Sequence, residues 1–197
     1  MKKVLALMFS LFLAQQAVAA NLVVNGGFET GNFNGWEADL PLDCQDPYSF
    51  IAWTQYNGDN VWHSGSYGAW FGAYGASGYD TLTQTINTLA GESYTFDFWL
   101  KHAFGANGQN NDLKAYWNGA SLLPDLSNSQ PFGWTEYTFT VSATGSTSTI
   151  TFAGWEVPGA YALDDVSVNP APLPASALLL GSGLIGLGLL GRRRKQI

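Results

Sequence analysis

The sequence predicts an all-β protein that contains a single jelly-roll β-sandwich. Short segments of alternating polar and apolar residues are separated by stretches rich in Gly, Asn, Ser and Thr, as in strands joined by turns. No stretch within residues 21–169 has the periodicity of an amphipathic helix. Residues 93–101 show the strand pattern best, because every second side chain is large and apolar: Tyr94, Phe96, Phe98 and Leu100.

Nine segments have this pattern, and each has one apolar face to bury, which favours two packed sheets. The predicted strands are residues 22–24, 50–54, 67–71, 80–86, 93–101, 112–117, 136–141, 149–152 and 161–168. The last one needs an irregularity, since Leu163 falls on the face opposite to Val166 and Val168. A β-bulge at Asp164 and Asp165 would bring all three to the core.

The N-terminus predicts export. Residues 1–20 have a basic start, an apolar stretch at 4–14 and a small-x-small pattern that ends at Ala19, as in a signal peptide. Cleavage after Ala19 or after Ala20 fits equally well. Signal peptidase is therefore an expected partner.

The C-terminal residues 170–197 have three parts that suit a membrane-directed tail. The proline-rich part, 170–175, cannot continue a strand or a helix. The apolar part, 176–191, together with Ala175 is roughly 25 Å long as a helix, at the short limit for a transmembrane span. The basic part, 192–195, places this end on the cytoplasmic side. An ordinary C-terminal membrane anchor would share these features.

The order of these parts resembles the PEP-CTERM protein-sorting signal of Gram-negative bacteria, in a variant with Pro-Leu-Pro-Ala in place of Pro-Glu-Pro. The residues that carry the resemblance are Pro172, Leu173, Pro174, Ala175, Arg192, Arg193 and Arg194. It implies an exosortase-type sorting enzyme as a partner and transient anchoring in the inner membrane. The destination would be the cell surface or the extracellular matrix.

The charge of the central domain, residues 21–169, limits its partners. It keeps two lysines against all fifteen acidic residues, a formal net charge of about −13 that argues against nucleic acid and anionic polysaccharide. A neutral polysaccharide fits better. The one cysteine of the chain, Cys44, has no internal partner and is expected to be a buried apolar residue or an intermolecular thiol.

Both ends of the domain resemble jelly-roll carbohydrate-binding modules of the galactose-binding-like superfamily. Residues 21–31, followed by Gly35-Trp36, resemble their opening, and residues 161–168 resemble their closing strand. Residues 64–69 and 90–100 are similar to internal strands of the family. The resemblance implies an extracellular sandwich domain that binds carbohydrate.

The adjacent carboxylates at the expected bulge suggest a metal site. Asp164 and Asp165 repel each other unless a proton, a basic residue or a metal neutralises one of them, and oxygen ligands suit Ca²⁺. In the resembled modules a structural Ca²⁺ joins a glutamate to the first Asp of the closing pair, which implies Glu29 and Asp164. Oxygens of residues 25–27 and of the turn around Ser66 would complete the shell. Alternatively, Glu29 caps a turn and both aspartates are hydrated.

Aromatic side chains on polar faces of strands suggest a carbohydrate-binding surface, because sugar rings pack their C–H faces on aromatic rings. If the two strands are neighbours in one sheet, Trp99 and Tyr116 would form one platform. The predicted carbohydrate-binding residues are Trp99, Tyr116, Asp97 and Lys101. A site ringed by loop residues is the alternative, with Trp53, Tyr56, Trp62, Tyr74 and Tyr79.

Catalytic motifs do not support an enzyme. Neither a Gly-x-Ser-x-Gly nor a His-Glu-x-x-His motif occurs, and the two histidines, His63 and His102, are far apart in sequence. The expected function is non-catalytic binding of exopolysaccharide by an exported protein. A self-associating structural or adhesion protein of a biofilm matrix is the alternative.

Overall fold

The part of the chain that the structure describes is a sandwich of two antiparallel sheets. The structure is a computed structural model, and it describes residues 20–39, 51–52, 60–72, 78–103, 110–124, 126–156 and 159–172. Its strands are β1 (Glu37–Asp39), β2 (Ile51–Ala52), β3 (Gly68–Phe71), β4 (Asp80–Asn87), β5 (Ser93–Ala103), β6 (Asn111–Trp117), β7 (Ala120–Ser121), β8 (Phe132–Ser142), β9 (Thr147–Glu156) and β10 (Ala160–Pro170).

Each sheet has five strands in the part of the chain that the structure describes. One has the order β1-β4-β9-β6-β7 and is called the β9 sheet here; the other has the order β2-β3-β10-β5-β8 and is called the β10 sheet. The long strands alternate between the sheets along the chain, which is the jelly-roll arrangement. The prediction of an all-β sandwich is confirmed, and the described residues contain no helix.

The core lies between the two sheets and is rich in aromatic residues. Phe96 and Phe98 of β5 face Phe152 of β9, and the rings of Phe98 and Phe152 meet edge to face with centroids 4.9 Å apart. All three side chains are fully buried. The alternation predicted for residues 93–101 is therefore the alternation between this core and the outer face of the β10 sheet.

The predicted strand at residues 22–24 is wrong. Leu22 donates one backbone hydrogen bond to Val168 of β10, at 2.9 Å, but no ladder follows. Asn21 competes for the backbone, because its side-chain oxygen accepts the N–H groups of both Val23 and Val168. The segment is a loop that lies beside β10.

Several predictions fall outside the described residues. These are the signal peptide through residue 19, Cys44, the aromatic residues Trp53, Tyr56 and Tyr74, and the tail beyond Pro172. Where the structure describes the chain, it contains no helix that is both long and apolar enough to cross a membrane.

Candidate functional sites

The predicted bulge in β10 is present and builds the first site. The pairing of β10 with β5 changes register between Asp164 and Ser167, and Asp165 has a φ of +50°. Leu163, Val166 and Val168 are all buried in consequence. The N–H of Val166 donates to the carbonyl of Gly26 at 2.9 Å, so the bulge holds the opening loop against β10.

Asp164 is the buried acid of this site. Its Oδ2 accepts the N–H groups of His63 and Ser64, at 2.8 and 3.0 Å, and its Oδ1 accepts that of Asp165 at 2.7 Å. Burial raises the pKa of Asp164 to about 7, and the neighbouring charge of Asp165 adds to the rise against the N–H donors. The three N–H donors therefore hold this carboxyl group in place, but they do not fully offset the free-energy cost of burying its negative charge.

Asp165 binds the same loop through side chains. Its Oδ1 accepts the hydroxyl of Ser64 at 2.7 Å, and its Oδ2 lies 2.7 Å from Nδ1 of His63. The imidazole ring of His63 stacks on Trp99 of β5, with centroids 3.8 Å apart and an interplanar angle of 10°. Asp164 and Asp165 thus hold His63 over Trp99, one of the predicted carbohydrate-binding residues.

Glu29 completes the group of carboxylates. Its Oε1 accepts the N–H groups of Ser66 and Tyr67, at 2.8 and 3.0 Å. A Cβ at Gly65, where φ is +68°, would collide with this carboxylate, so the turn needs a glycine there. Ser66, predicted as a metal ligand, contacts Glu29 through its backbone N–H.

The side chains of the three acids all approach Gly27. A Cβ built there would lie 3.7 Å from Oδ1 of Asp165, 3.8 Å from Oδ1 of Asp164 and 3.8 Å from Cγ of Glu29. In the described part of the chain, no group of three or more His, Cys, Asp or Glu side chains could hold a metal ion. A calcium ion beside Glu29 and Asp164 would need backbone carbonyls and water as its other ligands.

Three of the predicted carbohydrate-binding residues lie on the outer face of the β10 sheet. Asp97 accepts the hydroxyl of Ser167 at 3.3 Å, and the ammonium of Lys101 donates to the carbonyl of Asn60 at 3.4 Å. Lys101 is buried, and His63 covers one face of the Trp99 ring. The loop that leads to β3 therefore covers much of this surface.

Tyr116 lies on the other sheet. Its strand, β6, belongs to the β9 sheet, whereas Trp99 lies on β5 of the β10 sheet. Both residues point outward, because their neighbours in sequence, Ala115 and Phe98, are in the core. The condition for a joint platform is not met, since the two strands are in different sheets and the two rings lie on opposite faces of the sandwich.

Around Tyr116 the outer face of the β9 sheet carries a network of polar side chains. Lys114 forms an ion pair with Asp112 at 2.9 Å, and the hydroxyl of Tyr79 donates to Asp112 at 2.6 Å. The ammonium of Lys114 also donates to the Tyr79 hydroxyl at 3.0 Å. The hydrogen bond to Asp112 raises the pKa of Lys114 above its ordinary range, and it raises the pKa of Tyr79.

A pocket adjoins this network. It has a volume of about 380 Å³, and its lining combines Asp112, Lys114 and Ser121 with Leu123, Pro124, Leu126 and Ser127. Within the described residues, Oδ1 of Asp112 has no hydrogen-bond partner, although only 9% of the side chain is exposed. The pocket therefore combines an acceptor, a cation and an apolar wall, as small-molecule sites do.

The sequence predictions missed this network. Tyr79 belongs to the predicted ring of loop residues, and Asp112 and Lys114 lie on the polar face of the predicted strand that carries Tyr116, but the sequence does not bring the three together. The alternation of Asp112 and Lys114 with the apolar Leu113 is the sequence feature that indicates that both polar side chains share the outer face of this strand. Their approach to Tyr79 depends on β4 and β6 pairing with the two sides of β9.

Solved structures with a similar fold include two carbohydrate-binding modules. One is TmCBM61 in complex with β-1,4-galactotriose, with a TM-score of 0.55 and 19% identity over 78% of this chain and 100% of that chain. Another is the CBM22-1 xylan-binding domain from Paenibacillus barcinonensis Xyn10C, with a TM-score of 0.52 and 15% identity over 80% and 99%.

A third similar structure is an enzyme domain. It is the enzymatically active domain of tailspike protein 4 from bacteriophage CBA120, with a TM-score of 0.51 and 16% identity over 77% of this chain but only 21% of that chain. No family model matches the sequence, and no curated protein does. At these identities the likeness concerns the fold, and it agrees with the predicted jelly-roll sandwich.

Proposed function

We propose that this chain is an exported protein whose sandwich binds neutral carbohydrate without cleaving it. Two structures of the same fold support the choice of ligand, one in complex with β-1,4-galactotriose and one named a xylan-binding domain. The observation that carries the proposal is the network of Tyr79, Asp112 and Lys114 beside Tyr116, on the outer face of the β9 sheet.

The chemistry of this face suits a polyhydroxylated ring. Sugar hydroxyls would donate to Asp112 and accept from Lys114, while Tyr116 offers its ring to a C–H face. Because Asp112 and Lys114 neutralise each other, the site has no net charge that would attract a uronic acid. The strongly acidic remainder of the domain disfavours anionic polymers further.

The outer face of the β10 sheet is the weaker candidate. Trp99 and Asp97 lie there, but His63 occupies the ring face that a sugar would need, and Lys101 is buried beneath the loop. A sugar could reach Trp99 on this side only if the loop of residues 60–67 moved away. We therefore assign the main binding surface to the β9 sheet.

A structural Ca²⁺ at the bulge is part of the proposal. Glu29 and Asp164 would hold it, together with carbonyl oxygens of the opening loop and of the turn at Ser66. When bound, the ion would supply positive charge beside these carboxylates and the neighbouring Asp165. Its role would be to hold the opening loop and the loop of residues 60–67 against β10, without a part in any reaction.

The targeting of the protein is also a proposal. Residues 1–20 would direct export and be removed by signal peptidase. Residues 170–197 would anchor the chain in the inner membrane until an exosortase-type enzyme acts near Pro172 to Ala175. The domain would then reach the cell surface or the extracellular matrix, where neutral exopolysaccharide is its partner.

A binding screen tests this function. The full chain, in a mild detergent because residues 176–191 are apolar, is titrated with neutral and acidic polysaccharides, and each mixture is assayed for products of cleavage. We expect binding to a neutral glycan without turnover, and a loss of about tenfold in affinity for Asp112→Asn. The matched variant Asp97→Asn, on the opposite face, should bind like the wild type.

Three results would contradict the proposal. Turnover of a polysaccharide would indicate an enzyme, and equal losses for both variants would remove the assignment of the surface. Calcium-dependent oligomers without glycan binding would instead support the alternative, a self-associating structural or adhesion protein of the matrix.

A further inference from the structure

The edges of the two sheets are unequal in length. An edge strand has unpaired N–H and C=O groups along one side, and these can pair with another chain. In the described residues three edges are short: β1 has three residues, β2 two and β7 two. The fourth edge, β8, has eleven residues, and among the strands that the structure describes it pairs only with β5.

β8 lacks the features that usually protect a long edge. Such strands carry lysines, prolines or inward-pointing charges that oppose pairing with another strand. Between Phe132 and Ser142 the only charged side chain is Glu136, and there is neither proline nor lysine. The register shift with β5, between Leu100 and His102, affects only the beginning of the strand.

Two aromatic residues of β8 are incompletely buried at this edge. Tyr137 and Phe139 stack on Phe98 of β5, with centroid distances of 5.6 and 6.1 Å, yet both side chains are only partly buried. A further strand alongside β8 would cover them. Aromatic and threonine pairs across strands are among the pairs that stabilise a sheet.

We propose that two copies of this chain pair through β8, antiparallel and two-fold symmetric, to form one continuous ten-stranded sheet. The symmetry axis passes at Tyr137, the midpoint of β8, so that the whole strand is paired. In this register Glu136 lies opposite Thr138 of the other copy, and the two Tyr137 rings face each other. A register with Glu136 opposite itself would place like charges together.

This pairing does not depend on carbohydrate binding. β8 belongs to the β10 sheet, whereas Asp112, Lys114 and Tyr116 lie on the β9 sheet. Each domain has a net charge of about −13, which opposes association over long distances, but salt screens such repulsion with a Debye length of about 10 Å at 0.1 M. The dimer should therefore be stronger at higher ionic strength.

A charge swap at Thr138 tests the pairing. The dimer dissociation constant of the full chain in mild detergent is measured by analytical ultracentrifugation for the wild type, Thr138→Glu and Thr138→Lys. Thr138→Glu places two Glu–Glu pairs across the axis and should raise the constant at least about tenfold, whereas Thr138→Lys faces Glu136 and should leave it equal or lower. Thermal unfolding of each variant in dilute solution confirms that it folds.

Matched controls sit on the other sheet. Thr85 of β4 is also an exposed threonine, and Thr85→Glu and Thr85→Lys should leave the dimer unchanged. A wild-type protein that stays monomeric up to about 1 mM would overturn the proposal. So would equal effects of Thr138→Glu and Thr138→Lys, or an oligomer that neither substitution alters, as expected for association through residues 176–191.

Discussion

Asp164 is fully buried and accepts three backbone N–H groups, yet burial and the charge of Asp165 raise its pKa to about 7. Its ordinary value is 3.8. Between these two values the folded domain keeps a proton that the unfolded chain has lost. The stability that this proton contributes is present at low pH and is lost as the pH rises toward 7 and beyond.

The stability of the calcium-free domain should accordingly fall as the pH rises. In the presence of a chelator we expect the melting temperature to be lower at pH 8 than at pH 5 by roughly 5 °C or more. Thermal unfolding followed by circular dichroism measures it. The melting temperature should depend less on pH in Asp164→Asn, because this side chain cannot titrate. An unchanged pH dependence in that variant would assign the effect to other acids.

Calcium should stabilise the domain at neutral pH if Glu29 and Asp164 bind it. At pH 7.5, millimolar Ca²⁺ should raise the melting temperature by several degrees over the chelated protein. Glu29→Gln should lose most of this gain, whereas Glu92→Gln, an exposed acid outside the cluster, should keep it. A gain of the same size in both variants would place the ion elsewhere.

At the scale of elements, the local patterns predicted the long strands well. β5 and β10 follow the alternation of apolar side chains, and the mismatch between Leu163 and Val166 correctly indicated the bulge. Residues 22–24 have the same local pattern but form a loop, because the side chain of Asn21 takes the backbone groups that a ladder would use. Periodicity alone does not show such competition.

The contact between the opening loop and the bulge should be sensitive to a single methyl group. A Cβ on Gly26 would collide with the carbonyl oxygen of Val166, so Gly26→Ala should lower the free energy of unfolding by about 2–4 kcal/mol. A Cβ on Gly133 would meet no other atom, so Gly133→Ala should change the free energy of unfolding by less than about 0.5 kcal/mol. Urea denaturation measures the free energy of unfolding of both variants, and equal effects would contradict the close contact between the opening loop and the bulge.

For the whole molecule, the order of strands decides which residues share a surface. The sequence places both Trp99 and Tyr116 on polar faces of strands, and that placement is correct. The local sequence patterns do not show the jelly-roll connections. These connections place β5 and β6 in different sheets and bring Tyr79, rather than Trp99, close to the strand of Tyr116, where it contacts Asp112. The order of strands in each sheet follows from the packing of the entire sandwich and not from any local pattern.

In the function proposed here, carbohydrate binds to the outer face of the β9 sheet. The most direct test is isothermal titration calorimetry of the best neutral glycan with Tyr116→Ala and Trp99→Ala side by side. We expect a loss of about tenfold or more in affinity for Tyr116→Ala and a change below about threefold for Trp99→Ala. Full affinity in Tyr116→Ala, with binding lost in Trp99→Ala, would contradict it and move the site to the β10 sheet.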